Sequence, residues 1–311
     1  MIVVKLMGGM GNQLFQYALG RSLSARNRAP FKMDISGYEH QPPECTPRQY
    51  DLDHFNVQES FASQQEVEKL TGQGQSPAAG RVQRLLLRLI GGRKKTYVTE
   101  PSFAFNPEIL EAGSNVYLVG YWQTEKYFQD IVADIRREFT LKPEFSVDDK
   151  DIARRIKAAN GRSSGGGGDG AAVAPTAVSL HIRRGDYVSD AATNKFHGCC
   201  TLDYYAAAMK IVAGQVAAPH FFVFSDDIEW VRSNLKFHHP VTYVSDGQLK
   251  DYEELTLMSY CQHHILANSS FSWWGAWLNP NPGKIVVAPK KWFNEGSMDT
   301  RDLIPEGWMR I

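Results

Sequence analysis

The second half of the chain alternates short apolar, β-rich runs with longer stretches of helical periodicity. The predicted strands are Ala177–Arg183, Phe221–Ser225, Val241–Val244, His264–Ala267 and Lys284–Ala288. Between them, apolar residues recur at helical spacing in Leu202–Ala213, Asp227–Leu235, Tyr252–Cys261 and Ser270–Leu278. This alternation predicts a parallel sheet with helices on both faces, and in such a sheet ligands bind beyond the carboxyl ends of the strands.

The first half of the chain is less regular. Its predicted strands are Ile2–Leu6, Phe31–Asp34 and Val116–Gly120, and its predicted helices are Asn12–Ala25 and Glu125–Phe139. The segment from Gln41 to Gly92 receives no assignment, although Arg81–Ile90 alternates basic and apolar residues as a surface helix does. These elements indicate further β/α pairs before the middle of the chain.

A stretch rich in glycine and serine interrupts the chain near its middle. Asn160–Gly170 has no side chains able to form a core, and it follows a charged helical pattern at Asp148–Ala159. Because 311 residues exceed the usual size of a single core, we predict two domains. They span residues 1–159 and 177–311, with a linker or loop insertion at 160–176.

Composition and charge exclude several classes of protein. Lys+Arg and Asp+Glu both number 34, which removes the broad positive field needed for nucleic-acid binding. The 4 cysteines include no CxxC pair, so reduced thiols and a cytoplasmic location are expected. The sequence has no apolar run of membrane length and no pattern of a signal peptide, so no membrane span is expected. Any anion must therefore be held by a local arrangement of donors.

The first motif with possible chemistry is a glycine turn between a predicted strand and a predicted helix. Gly9, Gly11, Asn12 and Gln13 belong to it. Glycines allow a ligand to approach the backbone, and the N-terminus of the following helix favours a phosphate or sugar. Two alternatives stay open: a dinucleotide fingerprint that uses Asp34 but lacks the third glycine, and a tight turn without any ligand.

The second motif surrounds the end of the predicted strand Ala177–Arg183. Strand alternation places the polar side chains of His181 and Arg183 on one face at its carboxyl end. The planar fork of Arg183 suits a diphosphate and keeps its charge at working pH. The alternative is a structural ion pair of Arg183 or Arg184 with Asp186.

Two further motifs follow predicted strands. Ser225, Asp226 and Asp227 end an apolar run, where a carboxylate accepts from a guanine edge or ribose hydroxyls, or simply caps the next helix. Later, Asn268, Ser269, Ser270 and Phe271 lie where a helix begins and offers its first N–H groups. This second turn predicts an anion site on the same side of the sheet as Arg183.

Metal binding is not favoured by the sequence. His263 and His264 are neighbours on a predicted strand, so their side chains point to opposite faces. Asp51 and Asp53 resemble the acidic pair of metal-dependent glycosyltransferases, but they lie in an unassigned segment far in sequence from the other motifs. We predict neither a metal nor a cofactor.

In register along the chain, the four motifs resemble those of the bacterial-type α-1,2-fucosyltransferases. They read GGMGNQLFQ from Gly8, HIRRGDY from His181, FSDD from Phe224 and NSSFSWWGA from Asn268. The resemblance implies an α/β, GT-B-like fold with two Rossmann-like domains facing each other across a cleft, the first on the acceptor side and the second binding GDP-sugar. It also implies GDP-β-L-fucose as donor, a galactose-terminated oligosaccharide as acceptor, inversion at the anomeric carbon and no required metal.

The resemblance also implies roles for individual residues. Arg183 would contact the donor diphosphate and His181 the nucleotide, with Asp226 or Asp227 facing guanine or ribose and with Ser269, Ser270 and Phe271 on the phosphate side. Gly9, Gly11 and Asn12 would lie near the sugars. Asp186 is our candidate base because it follows the arginines directly. Lys195–Cys200 departs from the pattern and leaves the acceptor open.

Two rival functions are consistent with the same motifs. One is a sugar- or nucleotide-binding protein without turnover, for which all the ligand sites would be kept. The other is a nicotinamide-dependent oxidoreductase that uses the first glycine turn, against which the missing third glycine argues. The oligomeric state is not predicted.

Overall fold

A computed structural model describes residues 1–39, 41, 46–72, 96–160, 174–294, 296 and 298–311. The surface helix predicted at 81–90, the glycine-serine stretch at 161–170 and Cys45 lie outside these residues. Within them the chain forms two compact units, each with a parallel sheet of its own. The predicted α/β class with two Rossmann-like units is therefore confirmed.

Unit 1 comprises residues 1–53, 57–138 and 301–303. Its strands are β1 (Ile2–Lys5), β2 (Phe31–Asp34), β3 (Tyr97–Thr99) and β4 (Val116–Val119), and its helices are α1 (Met10–Asn27), α2 (Gln64–Thr71) and α3 (Val132–Glu138). The strand order is β2-β1-β4-β3, with every pair parallel. Since the strand order changes direction between β1 and β4, the carboxyl ends of these two strands border the place where such sheets bind ligands.

The helix predicted at Glu125–Phe139 is shorter than expected. Two 3-10 turns, Glu125–Tyr127 and Gln129–Ile131, precede α3. Phe128 between them has the non-helical dihedrals φ −136° and ψ 20°. Its side chain is fully buried, 6.3 Å from the ring of Phe15. Burial of this ring competes with a continuous helix, which the periodicity alone did not reveal.

Unit 2 comprises residues 54–56, 139–300 and 304–311. Its strands are β5 (Thr176–Ile182), β6 (Pro219–Ser225), β7 (Val241–Tyr243), β8 (His263–Ile265), β9 (Val286–Ala288) and β10 (Met309–Arg310). Its helices are α4 (Asp151–Asn160), α5 (Gly185–Ser189), α6 (Ala191–His197), α7 (Leu202–Ala213), α8 (Ile228–Asn234), α9 (Asp251–Tyr260) and α10 (Ser270–Leu278). The five predicted strands and four predicted helices of this region are confirmed, with ends that differ by a few residues.

The sheet of unit 2 has the strand order of a dinucleotide-binding fold. The order is β10-β9-β8-β5-β6-β7, so counting from β5 as the first strand gives 3-2-1-4-5-6 in reverse. Val178, Leu180 and Ile182 lie in one apolar cluster with α7, as strand alternation predicts. The change of direction lies between β5 and β8, which brings the carboxyl ends of these two strands together at the expected ligand position.

Helix α4 belongs to unit 2, although it precedes the predicted linker. Ala153, Ile156 and Ala159 are buried in a cluster with Phe222 and Phe224 of β6. The division between the units therefore falls at residues 138 and 139, earlier than the predicted boundary at 159. The glycine-serine composition suggested where the chain divides, whereas long-range burial decides which unit a helix joins. Among the helices of the described ranges, none is long and apolar enough to cross a bilayer.

Candidate functional site

The candidate site lies at the change of direction in the unit 2 sheet. Arg183 follows β5, and Asn268 lies between β8 and α10. The Tyr187 hydroxyl donates to the Asn268 carbonyl over 3.3 Å. The rings of His181 and Phe271 are 5.6 Å apart. The end of β5 and the start of α10 thus converge, as expected for two turns that serve one ligand.

Arg183 bridges two carboxylates at this edge. Its Nη2 donates to Asp186 Oδ1 over 2.7 Å, and its Nη1 lies 3.0 Å from Asp226 Oδ2. Burial acts to lower the pKa of Arg183, but the carboxylates of Asp226 and Asp186 more than offset it, so the pKa is raised. The ion pair weighed as an alternative is therefore present. It lies at the strand end with the arginine side chain 25% exposed, and a guanidinium has five N–H donors, so donors are left for a ligand.

The Arg184 side chain is held by one carboxylate and one aromatic ring. Its Nε donates to Asp227 Oδ2 over 3.0 Å, and its guanidinium carbon lies 3.7 Å from the ring centroid of Trp230. Its backbone N–H donates to Asp226 Oδ1 over 2.8 Å. A Cβ on Gly185 would stand 2.5 Å from Asp226 Oδ2. The Asp226 carboxylate can therefore lie this close to the backbone only because residue 185 is glycine. Of the two arginine side chains, that of Arg183 is the more exposed, at 25% against 18%.

His181 is a buried imidazole without a complete set of partners. The residue is 5% exposed, and its Nδ1 has no hydrogen-bond partner among the described residues. Burial, with a smaller contribution from the positive charge of Arg183, lowers the pKa of His181 to about 3. The ring is therefore neutral at working pH. A buried polar atom without a partner is uncommon and marks a position where a ligand can supply the missing contact.

The three residues that end β6 serve partly structural purposes. Asp227 caps α8 by accepting from the Trp230 N–H over 3.2 Å, and its own N–H donates to Ser225 Oγ over 3.0 Å. The Ser225 N–H donates to Ser245 Oγ over 2.9 Å. The helix-cap alternative is thus observed for Asp227. Asp226 differs, because its carboxylate faces Arg183 at the site.

Asn268 organises the loops around the site. Its Nδ2 donates to the carbonyls of His197, Gly198 and Trp292 over 3.0, 3.1 and 3.1 Å, and its Oδ1 accepts from Cys200 Sγ over 3.5 Å. With 2% of its surface exposed, its amide is committed to the protein. Ser269, by contrast, caps α10 by accepting from the Phe271 N–H over 3.3 Å. Ser270 and Phe271, the first residues of this helix, are half-buried.

Glu254 is a carboxylate near Asp226 that sequence reasoning missed. It lies in the first turn of α9, hydrogen-bonded to Ser245 and within electrostatic range of Asp226. Burial raises the pKa of Glu254 to about 7, with further contributions from Asp251 and Asp246. Its neighbour in sequence, Glu253, instead accepts from the Lys250 N–H in a helix cap. No local signal separates two consecutive glutamates, because only the packing of α9 decides which one faces the strand ends.

In unit 1, the two glutamines of the first motif form hydrogen bonds with backbone groups. Gln13 is fully buried, and its amide bonds Gly8 O, Gln49 O and the Asp51 N–H over 3.1, 2.7 and 2.9 Å. Gln16, also fully buried, bonds the Met7 N–H and carbonyl and the Gly120 carbonyl over 3.0, 3.2 and 3.2 Å. Gln13 was predicted to bind substrate, and the structure shows its amide occupied by protein groups.

The other predicted residues of the turn surround the start of α1. Gly8 has φ +74°, and a Cβ there would meet Asn12 Nδ2 at 2.5 Å, which explains why glycine occupies the position. Gly9 is the N-cap of α1, Gly11 is buried within the helix, and Asn12 Oδ1 accepts from Gln123 Nε2 over 2.7 Å.

The structure argues against the dinucleotide alternative, because Asp34, the acid that would bind the ribose, is enclosed by protein groups. Asp34 is 3% exposed, and its carboxylate accepts from the Tyr117 hydroxyl and from the Ser36 N–H. A carboxylate enclosed in this way is not presented to a ribose, so the geometry adds to the missing third glycine against a nicotinamide enzyme.

The sequence predicted no metal site and reduced cysteines, and the structure describes the side chains concerned apart from Cys45. Among the described residues no group of three or more His, Cys, Asp or Glu is arranged to hold a metal ion. His264 is fully buried between Ser179 and Asn279, with ring nitrogens 2.8 Å from each partner. Cys199, Cys200 and Cys261 are free thiols. Whether the reaction needs a metal stays a prediction.

A two-unit α/β chain with an arginine fork and a helix N-terminus at one sheet edge defines a candidate nucleotide-sugar enzyme. Residues 93–311 match glycosyl transferase family 11. This match covers more than half of the chain, and full-length relatives support it, so the chain belongs to glycosyl transferase family 11.

Two of these relatives come from Escherichia coli. One, named Alpha-1,2-colitosyltransferase, is 32% identical over 316 residues, covering 100% of this chain and 98% of that protein. The other, the O-antigen biosynthesis glycosyltransferase WbnK, is 32% identical over 323 residues, covering 98% and 99%. A Bos taurus protein named Galactoside 2-alpha-L-fucosyltransferase SEC1 is 27% identical over 53% of this chain and 43% of its own. The NodZ alpha-1,6-fucosyltransferase structure soaked with GDP-fucose shares 15% identity over 90% and 92% at a TM-score of 0.42, too weak to carry inference.

Proposed function

We propose that this protein is an inverting glycosyltransferase that moves L-fucose from GDP-β-L-fucose to the 2-hydroxyl of a terminal galactose. The observation that carries the proposal is the partly exposed fork of Arg183 at the sheet edge where Tyr187 and His181 contact the start of α10, in a chain of glycosyl transferase family 11. Relatives named galactoside α-1,2-fucosyltransferases and an α-1,2-colitosyltransferase support the linkage.

The leaving group is GDP, and its charge is the chemical problem that the site addresses. As the bond between the anomeric carbon and the phosphate oxygen breaks, its electron pair stays on the diphosphate. The remaining N–H donors of Arg183 and the positive end of α10 stabilise this growing charge more than the charge of bound substrate, which lowers the barrier. The acceptor hydroxyl attacks from the opposite face, so the configuration inverts.

The carboxylates of unit 2 divide into two proposed roles. Asp226 and Glu254 face guanine or ribose, whose N–H and hydroxyl donors a carboxylate accepts. Asp186 is the proposed base, although its 2.7 Å contact with Arg183 competes for the same oxygen. If Asp186→Asn keeps both the turnover and the pH profile, the assignment of Asp186 as base fails.

The decisive experiment is a transfer assay. Purified protein is mixed with GDP-fucose and lactose in the presence of EDTA, and free GDP and the product are measured. We expect GDP release that depends on acceptor, a product with fucose α-linked at O2 of galactose, and no loss with EDTA. A 2-deoxygalactoside is the matched acceptor control, and it should give no transfer. Binding of GDP-fucose without transfer to any galactoside would favour a binding protein instead.

GDP-colitose should be tested as a second donor, because a full-length relative is named for colitose. Colitose is L-fucose without the 3-hydroxyl, so both sugars fit the same GDP chemistry. Competition between the two GDP-sugars at equal concentration reports the ratio of their kcat/KM values. Preference for fucose supports the proposal, and strong preference for colitose would replace the donor while leaving the linkage. The proposal includes a cytoplasmic location, which cell fractionation tests.

A further inference from the structure

The carboxyl edge of the unit 1 sheet carries a carboxylate that neither the motifs nor the proposed mechanism uses. Glu100 directly follows β3, and its N–H continues the ladder to Val119 O over 2.8 Å. Its Oε2 accepts from the Tyr121 N–H over 2.7 Å, and its Oε1 accepts from the Trp122 N–H over 2.9 Å. The side chain is half-buried, not enclosed. Glu100 therefore holds the turn after β4 and still reaches the surface.

The turn held by Glu100 has an unusual backbone. Trp122 is fully buried at φ +58°, a left-handed conformation that costs free energy for a residue with a bulky side chain. A Cβ on Gly120 would stand 2.8 Å from both Glu100 Oε2 and Trp122 Cε2, so the carboxylate and the indole meet above this glycine. Such conformations persist where the surroundings fix them, and they concentrate at ligand sites.

Two polar atoms of this turn lack partners among the described residues. Trp122 Nε1 and Gln123 Oε1 are both buried and without a hydrogen bond. The other end of the Gln123 amide, Nε2, donates to Asn12 Oδ1 over 2.7 Å. One donor and one acceptor are thus unsatisfied beside a carboxylate, next to the glycine turn of β1. Buried polar groups of this kind call for a ligand rich in hydroxyl groups or for water.

An aromatic surface completes the group. The rings of Phe103 and Tyr121 are stacked with centroids 6.1 Å apart and an interplanar angle of 11°, and both residues are half-buried. Tyr121 lies within electrostatic range of Tyr38, whose hydroxyl donates to Gly8 O over 3.0 Å. A flat aromatic face beside hydrogen-bonding groups suits the apolar face of a sugar ring and its hydroxyls.

We propose that Glu100, Tyr121 and Phe103 form the acceptor subsite of unit 1, in which Glu100 accepts from a hydroxyl of the terminal galactose while the ring pair packs against the sugar. The ligand class is a neutral hexopyranoside, because the Glu100 carboxylate accepts from hydroxyl groups and the Phe103–Tyr121 pair offers an aromatic face to the sugar ring. The subsite rests on the proposed function for the identity of the sugar. It assigns specificity to residues outside the four motifs.

The ionisation of Glu100 gives the proposal a signature of its own. Burial raises the pKa of Glu100 to about 7, against the lowering effect of the Tyr121 and Trp122 N–H groups. The titratable side chains around it are Tyr121 and Tyr127, and burial raises the pKa of both, so they stay neutral through this range. Since a carboxylate accepts from a hydroxyl better than a carboxylic acid does, acceptor binding should strengthen as pH rises through about 7.

The test compares Phe103→Leu, Glu100→Gln and the exposed control Glu111→Gln, in the full chain with GDP-fucose and methyl β-galactoside. We expect both site variants to raise the acceptor KM by about tenfold while the GDP-fucose KM and the acceptor-independent GDP release stay within about twofold of the parent. Glu100→Gln should also remove the change in the acceptor KM as pH passes through about 7. Glu111→Gln should match the parent throughout.

Other outcomes separate the two proposals. If Glu100→Gln lowers only the melting temperature and Phe103→Leu leaves the acceptor KM unchanged, Glu100 is a turn clamp and the subsite is refuted. Phe103→Leu keeps the clamp intact, so the test stands even if Glu100→Gln does not fold. Saturation-transfer NMR with methyl β-galactoside measures binding without turnover. A parent protein that binds the galactoside, loses binding in Phe103→Leu and transfers no fucose would refute the proposed function but keep the subsite.

Discussion

The two sheets of this protein both carry candidate ligand groups at the carboxyl ends of their strands, but the side chains there differ. At the end of β5 in unit 2, Arg183 stands among Asp186 and Asp226, with Glu254 nearby. At the carboxyl edge of the unit 1 sheet, Glu100 follows β3, and its carboxylate contacts the turn after β4 beside the rings of Tyr121 and Phe103. In our proposals the same edge of each sheet holds a ligand, and the side chains there select a diphosphate in unit 2 and a neutral sugar in unit 1.

The contrast extends to how each motif uses its polar residues. In unit 1, Gln13 and Gln16 are fully buried and bond backbone groups, so the motif shapes the turn. In unit 2, Arg183 keeps a quarter of its side chain exposed and has N–H donors to spare. A motif shared with a family can therefore mark a structural device in one place and a ligand contact in another.

The largest expected effect follows from removing the unit 2 fork. Arg183→Ala should lower kcat by about 10³-fold, because a preorganised donor to the leaving diphosphate is lost. Arg183→Lys keeps the charge but not the planar fork, so it should lie between alanine and the parent. GDP release with saturating acceptor measures both. The matched control is Arg232→Ala. Arg232 lies in α8, and its guanidinium packs over the ring of Tyr243 in β7.

If Arg183→Ala loses stability but turns over normally, the ion pair with Asp186 and Asp226 is its whole role. The comparison between the two units would then lose its charged half, because Arg183 is the residue to which we assign the diphosphate. Chemical denaturation run on the same samples separates the two outcomes.

The next effect concerns stability and breaks unit 1 instead. Gln16→Ala should lower the free energy of unfolding by about 3 kcal/mol, because it leaves buried backbone groups of Met7 and Gly120 without partners and opens a cavity. Urea denaturation measures the change. Gln64→Ala, on the exposed face of α2, should cost less than about 0.5 kcal/mol. A stable Gln16→Ala with a raised GDP-fucose KM would show instead that this amide serves the ligand.

The smallest expected effect is a pH dependence of the GDP-fucose KM, which tests the role of Glu254 in unit 2. The pKa of Glu254 is raised to about 7, so the carboxylate is lost as pH falls through that value. A protonated Glu254 accepts poorly from guanine or ribose, and the GDP-fucose KM should rise by about fivefold on the acid side. Glu254→Gln should have a KM near this acid-side value at all pH values. The control Glu229→Gln, at an exposed position, should show the same change of GDP-fucose KM with pH as the parent. If the parent KM does not change with pH, Glu254 is not part of the site.

Much of unit 2 could be predicted because its signals are local. Strands such as Phe221–Ser225 are continuous apolar runs, and the helix that begins at Ser270 has its capping residue directly before it. Arg183 and the Asn268 turn were predicted on the same side of the sheet because each directly follows a predicted strand of a parallel sheet. The roles of Asp227 and Asn268 could not be predicted, because a capping acid and a ligand acid look alike in sequence.

The sequence by itself determined the alternation of strands and helices, the four motifs and hence the family, since each depends on residues close together in the chain. Only the tertiary structure decided that α4 joins unit 2, that Glu254 and not Glu253 faces the strand ends, and that Glu100 meets Trp122 above Gly120. The physical reason is that burial and hydrogen bonding are set by neighbours in space. Glu100 is 21 residues from Tyr121, and no pattern in the chain predicts a contact over that separation.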